Sequence, residues 1–229
     1  MSSKLLAMHR VVTVCLAAQA IAFTGCGLAD YEARMDLQQK KLKYVEEENK
    51  NLEPYKIQLS DRKPDDSVPK EDLFLRPPKG IDGNGDDKTI GADIVHFPGK
   101  TDGTYKEMWV AAVKRDNEAK FQKDVLEQLK INARAKKPKP VGGVGLTQLT
   151  YDWVHDDQGA RGTYDAYFLK KAPFLVAVVF KTESNKDAAN PPPQIDFALA
   201  SLRLGSEART QKAGKPPASP PKATKGAKQ

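Results

Sequence analysis

The chain is poor in the residues that usually carry chemistry. Among its 229 residues are only two cysteines, Cys15 and Cys26, and both lie at the N-terminus, so no disulfide can staple the body. There are three histidines, of which His96 and His155 are far apart and show no HxxxH or HExxH spacing, so neither a zinc site nor any other cofactor is expected. No apolar run reaches the roughly 20 residues that a membrane-spanning helix needs. The charge of one sign is also missing where it would matter. The formal charge is +7, but Lys4 and Arg10 sit in the first 25 residues. Arg209, Lys212, Lys215, Lys222, Lys225 and Lys228 crowd the tail against the single acid Glu207. Setting the two ends aside leaves a near-neutral body, which argues against a nucleic-acid groove, because phosphate affinity scales with cations presented together.

What is present begins with an address. Met1 to Arg10 is short and basic, and Val11 to Phe23 is apolar apart from Thr13 and Gln19, the order of a signal peptide's n-region and h-region. The segment Phe23-Thr24-Gly25-Cys26 resembles the lipobox of bacterial lipoproteins, with small residues at the two positions before the cysteine and Phe23 in place of the usual leucine. That resemblance implies cleavage before Cys26, a diacylglyceryl group on its thiol, and further acylation, such as palmitate, of the freed amine. Because Gly27 and not aspartate follows, it also implies the outer membrane over the inner, with the mature chain facing the periplasm.

From Leu28 to Glu53 there is no glycine or proline, and apolar residues fall on a seven-residue repeat. Leu28, Met35, Leu42 and Asn49 occupy the a positions, and Tyr31, Gln38, Val45 and Leu52 the d positions. Asp36 to Lys40 and Glu46 to Lys50 are favourable i,i+4 pairs, so a helical stalk about 40 Å long is expected over 26–53 after the anchor, ended by Pro54. It either stands alone or self-associates as a short coiled coil through Leu28, Met35, Leu42, Val45 and Leu52, with Lys41 facing Glu46 of a parallel copy. Residues 54–72 read as a charged linker.

Residues 73–205 hold nearly all the remaining apolar periodicity and predict an α+β domain, an antiparallel sheet packed with two helices. Met108 to Val113 reads as a strand, Arg115 to Ile131 as an amphipathic helix, and Pro138 and Pro140 as a break in the chain. Leu149 to Asp156 and Thr163 to Leu169 read as a hairpin turning at Asp156-Asp157-Gln158-Gly159. Phe174 to Phe180 is apolar at every position, as a central strand covered on both faces would be. A second helix is expected from Pro191 to Leu204, capped by Asn190 and Gly205. The stretches FLRPPKGI (Phe74 to Ile81) and FLVAVVFKT through IDFALASLRL (Phe174 to Leu204) resemble the α/β sandwich of PsbP-like proteins. That resemblance implies a binding or assembly role. Residues 206–229, rich in lysine, proline and alanine, predict a disordered tail whose cations would suit anionic headgroups or cell-wall polymers.

Three patterns are candidates for chemistry. Asp82, Asn84, Asp86 and Asp93 stand at oxygen-ligand positions of a calcium loop, but Asp87 occupies the place of the obligate turn glycine. Gly142-Gly143-Val144-Gly145 lacks the lysine and following helix of a phosphate loop and reads as a turn. Asp152, His155 and Asp156 could line a pocket in a small-ligand binder or hydrolase, although no nucleophile accompanies them at recognisable spacing. Trp109 and Trp153 fall at strand spacing and read as core. The expectation is therefore a non-enzymatic envelope lipoprotein with an unidentified envelope protein as partner.

Overall fold

The computed structural model describes residues 29–57, 73–83, 94–101, 104–114, 117–132, 136–183 and 192–208. Cys26, Leu28, Asn84, Asp86, Asp93, Asn190 and the basic tail from residue 209 lie outside them. The chain divides into two compact units, Met1–Glu47 and Glu48–Gln229. Helix α1 spans residues 29–51 and crosses that division. The i,i+4 pair Asp36–Lys40 forms on it at 3.3 Å, wholly on the surface.

The second unit is built on a six-stranded antiparallel sheet of order β2-β3-β7-β6-β5-β4. Its strands are β2 (Ile94–Pro98), β3 (Tyr105–Val113), β4 (Lys136–Val141), β5 (Leu149–Asp157), β6 (Thr163–Lys171) and β7 (Phe174–Thr182). Helix α2 (Glu118–Gln128) lies on one face and α3 (Pro193–Ala200) on the other. β1 (Leu73–Phe74) and β8 (Arg203–Leu204) pair separately. The fold is α+β, an N-terminal helix followed by an antiparallel sheet carrying helices.

β7 explains the two layers. Side chains alternate across a strand, so Leu175, Ala177 and Val179 enter the core beneath α2, while Val176, Val178 and Phe180 enter the core beneath α3. An uninterrupted apolar run is what such a strand requires. α2 presents Phe121, Val125 and Leu126 inward, and Asn117 caps it, accepting a hydrogen bond from the Lys120 amide at 3.0 Å. Tyr151 ties β5 to α3 by donating its hydroxyl to the Leu199 carbonyl at 2.9 Å.

The observed elements differ from the sequence expectation at several places. Pro138 and Pro140 do not break the chain; they lie in β4, the edge strand paired to β5. Proline lacks an N–H, and at alternate positions on an edge strand both nitrogens can fall on the side away from the partner, so the ladder to β5 need lose no donor. α3 is shorter than expected. Ser201 hydroxyl turns back onto the Ala198 carbonyl at 2.7 Å, and the Arg203 guanidinium donates to the Ala200 and Leu202 carbonyls at 2.7 Å each, so side chains close the helix end. The chain then extends into β8, and Gly205 at φ 61° lies beyond it. The hairpin between β5 and β6 turns later than expected, through a short 3-10 turn at Gly159–Arg161. Glycine is needed at 162, where φ is 98° and a Cβ would lie 2.5 Å from the Thr182 carbonyl oxygen.

Leu52, expected on the coiled-coil seam, is buried in the α3-side core, as is Ile57 from the segment read as linker. Backbone pairing explains both. Glu53 amide donates to the Pro77 carbonyl and Ile57 amide to the Leu75 carbonyl, each at 2.9 Å, so residues 52–57 run beside the extended segment after β1. Replacing Ile57 by alanine is expected to lower the unfolding free energy by about 2–5 kcal/mol in urea titration, the cost of an emptied core site. A residue in a free linker would show no such loss.

Candidate functional site

Asp152, His155 and Asp156 all lie on β5, but they do not converge. The strand's alternation sends Asp152, Val154 and Asp156 to the α2 face and Tyr151, Trp153 and His155 to the α3 face. The expected pocket is therefore divided by the sheet itself. Each of its residues is occupied in its own network. Asp152 accepts from the Gln122 amide of α2 at 3.2 Å. Gln122 also donates to Glu118 at 3.2 Å and accepts from Lys136, linking the helix to edge strand β4. Asp156 is buried and accepts from the Asn132 backbone amide at 2.8 Å and from the Gln158 side chain at 2.7 Å. Gln158 in turn donates to the Lys130 carbonyl at 2.8 Å. Asp156 thus fastens the turn that leaves α2, where Lys130 holds the left-handed φ of 55°.

His155 belongs to a cluster around a carboxylate that sequence reasoning missed. Asp165 stands directly opposite it on β6, and the same oxygen, Oδ1, meets His155 Nδ1 at 2.9 Å and accepts from the Trp153 indole Nε1 at 2.9 Å. Asp165 has a side-chain exposure of 5%, and a carboxylate buried that deeply needs such donors. Trp153 stacks on its cross-strand neighbour Tyr167 with ring centroids 6.5 Å apart. The Lys139 ammonium sits 5.8 Å from the Trp153 ring centre and 5.6 Å from that of Tyr167, and it pairs with Asp196 of α3 at 2.7 Å. Tyr105 donates to Gln194 at 3.0 Å. Burial, reinforced by Asp165 and Asp196, pushes the Tyr105 and Tyr167 phenols far above their ordinary range, so both stay neutral. Among the described residues His155 Nε2 and the Tyr167 hydroxyl have no hydrogen-bond partner. Asp165 thus fastens β5 to β6, while Lys139 of β4 and Tyr105 of β3 reach α3 through Asp196 and Gln194.

The other histidine lies on the opposite face. His96 on β2 is 3.3 Å from Glu107, which also pairs with Lys181 at 2.7 Å, and Lys181 lies 5.6 Å from the Tyr164 ring. Trp109 is sandwiched between His96 at 5.4 Å and Tyr164 at 6.0 Å and is buried as expected; Trp153 is only half-buried. With His96 and His155 separated by the sheet, they share no site, and among the described residues no group of three metal-binding side chains occurs. Of the calcium-loop candidates only Asp82 is described. Its amide donates to the Pro98 carbonyl at 2.9 Å. Gly142 to Gly145 form a turn between β4 and β5.

No family profile matches the chain, and no curated protein does. Solved structures do. A crystal structure of a protein from Bacteroides thetaiotaomicron VPI-5482 is similar at 14% identity over 59% of this chain, with a TM-score of 0.38; the match spans 46% of that protein. The solution structure of cyanobacterial PsbP (CyanoP) from Synechocystis sp. PCC 6803 is similar at 13% identity over 64% of this chain and 97% of that one, with a TM-score of 0.39.

The two carboxylate networks can each be tested by removing their centre. Asp165→Ala leaves the half-buried Trp153 and His155 rings without their shared acceptor, and a hydrogen bond to a charged group is worth about 1.5–3 kcal/mol. The variant should unfold in urea with a stability loss of about 3 kcal/mol, with Trp153 fluorescence reporting the loosened ring. Glu107 is held below its ordinary value of 4.5, first by the His96 hydrogen bond and then, against the opposing effect of burial, by Lys181. A lowered carboxylate contributes stability that is present above the unfolded value and lost as pH falls through the folded one. Thermal midpoints should therefore drop as pH is taken beneath 4.5, and Glu107→Gln should flatten that part of the profile.

Proposed function

We propose that this chain is a membrane-anchored envelope lipoprotein that works as a non-enzymatic binding or assembly module. The observation that carries the reading is the order of a basic segment, the apolar run Val11 to Phe23, and Thr24-Gly25 immediately before Cys26. In this reading the Cys26 sulfur carries diacylglycerol and its freed amine a further acyl chain. At about 0.8 kcal/mol per buried methylene, two or three chains hold where one would exchange. Among the described residues no helix is long and apolar enough to cross a membrane. α1 lies in sequence between the anchor and the folded domain, and the outer membrane is the better fit to Gly27.

The non-enzymatic part of the reading is supported by the engagement of the acid and base candidates. Asp152, Asp156, Asp165 and His155 each serve a bond that joins strands, helices or turns. Recognition then belongs to the surface of the domain, with an envelope protein as partner. The lysines of the tail suit anionic headgroups or wall polymers.

The test is fractionation together with mass spectrometry. Wild-type chain is expected in the membrane pellet with a mature N-terminal cysteine heavier by its acyl groups, and Cys26→Ser is expected to leave that fraction. A mature wild-type polypeptide with an unmodified thiol, or a Cys26→Ser chain held as firmly as wild type, would overturn the anchor.

A further inference from the structure

Residues 29–47 of α1 belong to the unit separate from the sheet domain, and their apolar side chains are left in water. Tyr31 is 61% exposed, Met35 40%, Leu42 64% and Val45 46%. All four fall on the a and d positions of the heptad, on one stripe of the helix; exposed Leu37 falls off it at a c position. A helix of about this length is marginal in water by itself, and most helical stability in proteins comes from packing an apolar face.

We propose that α1 pairs with α1 of a second copy of this chain, parallel and in register. Charge decides the orientation. In an antiparallel pair, setting Met35 against Val45 and Leu42 against Gln38 of the other copy brings Lys41 beside Lys41 once and Glu32 beside Glu46 twice, three like-charge contacts, against two attractions of Arg34 with a Glu48 that Arg76 already holds. In the parallel pair Lys41 at g meets Glu46 at e of the other copy, an attraction made twice by symmetry. Each apolar residue of the seam then faces its own counterpart. Asn49 is exposed at an a position, where paired asparagines fix register because any slip buries an unpartnered amide. Gln38 at a d position weakens the seam. Pairing is therefore helped by confinement of the copies on one surface, and in that respect the proposal rests on the anchored reading above.

The experiment is cysteine crosslinking of the full chain, with Cys15→Ser in every variant to remove one native thiol. Leu42→Cys and Lys43→Cys are made separately, and membranes are treated with a mild oxidant and run without reductant. A chain with neither added cysteine measures background from residue 26. Leu42→Cys should shift to a linked dimer, and Lys43→Cys, at the outward b position, should remain at background. Val45→Cys, at a d position, is the second seam probe and should behave as Leu42→Cys does.

Seam probes that link no better than Lys43→Cys would overturn the pairing. So would linkage of Leu42→Cys chains to Gln38→Cys chains with no linkage between Leu42→Cys chains, which is the antiparallel result, or linkage only to a different protein. Repeating the probes in Cys26→Ser at raised protein concentration separates the two ideas. A Leu42→Cys dimer formed there upholds pairing even where fractionation has removed the anchor, and a seam at background there as well as in membranes overturns pairing while leaving the anchor to its own test.

Discussion

The sheet domain depends on β7 being buried on both sides. Phe174 to Phe180 feeds alternate side chains into two cores, and every other large element lies on one of them: α2 over Leu175, Ala177 and Val179, α3 over Val176, Val178 and Phe180. At about 25 cal/mol per Å2 of apolar surface removed from water, this strand concentrates stabilisation that a one-sided strand would share with solvent. It is also flanked by the longest ladders, β3 on one side and β6 on the other. The strands farther out, β2 and β4, are shorter and are tied in by side-chain bonds, His96 to Glu107 and Lys136 to Gln122.

Polar groups inside this framework have structural tasks. Asp156 and Glu107 each gather partners from two segments of chain, and Asp165 of β6 takes both of its partners from β5, so each carboxylate joins pieces of chain that hydrophobic burial alone would leave less defined. A buried carboxylate is tolerated where its donors are supplied, and withdrawing one partner is costly because the other stays dry. The sheet keeps His155 apart from Asp152 and Asp156, and each of the three is bonded within its own network.

Helix α1 follows a different logic. Its first part exposes the apolar stripe that α2 and α3 hide, while its last turn passes into Leu52 and Ile57, which the sheet domain buries. One helix thus serves two physical settings, and the change occurs near Glu48, where Arg76 pairs with it at 3.1 Å.

The local pattern of residues determined α2, β5, β6, β7 and the helical run of α1, because each has a clean period or an unbroken apolar stretch that only one backbone conformation can use. It also determined that no cysteine framework could form. Tertiary structure alone decided the rest. β4 reads as a broken chain until β5 is present to accept it, since a proline pair is compatible with a strand only at an edge. β2 and β8 are too short to carry a period. Leu52 fits a heptad as well as a core, and only the partner segment after β1 chooses between them. Asp165 looks like one more charged residue of an alternating strand; its meaning comes from the strand register that sets it opposite His155 and beside Trp153, and register between distant segments is not written in the composition of either one.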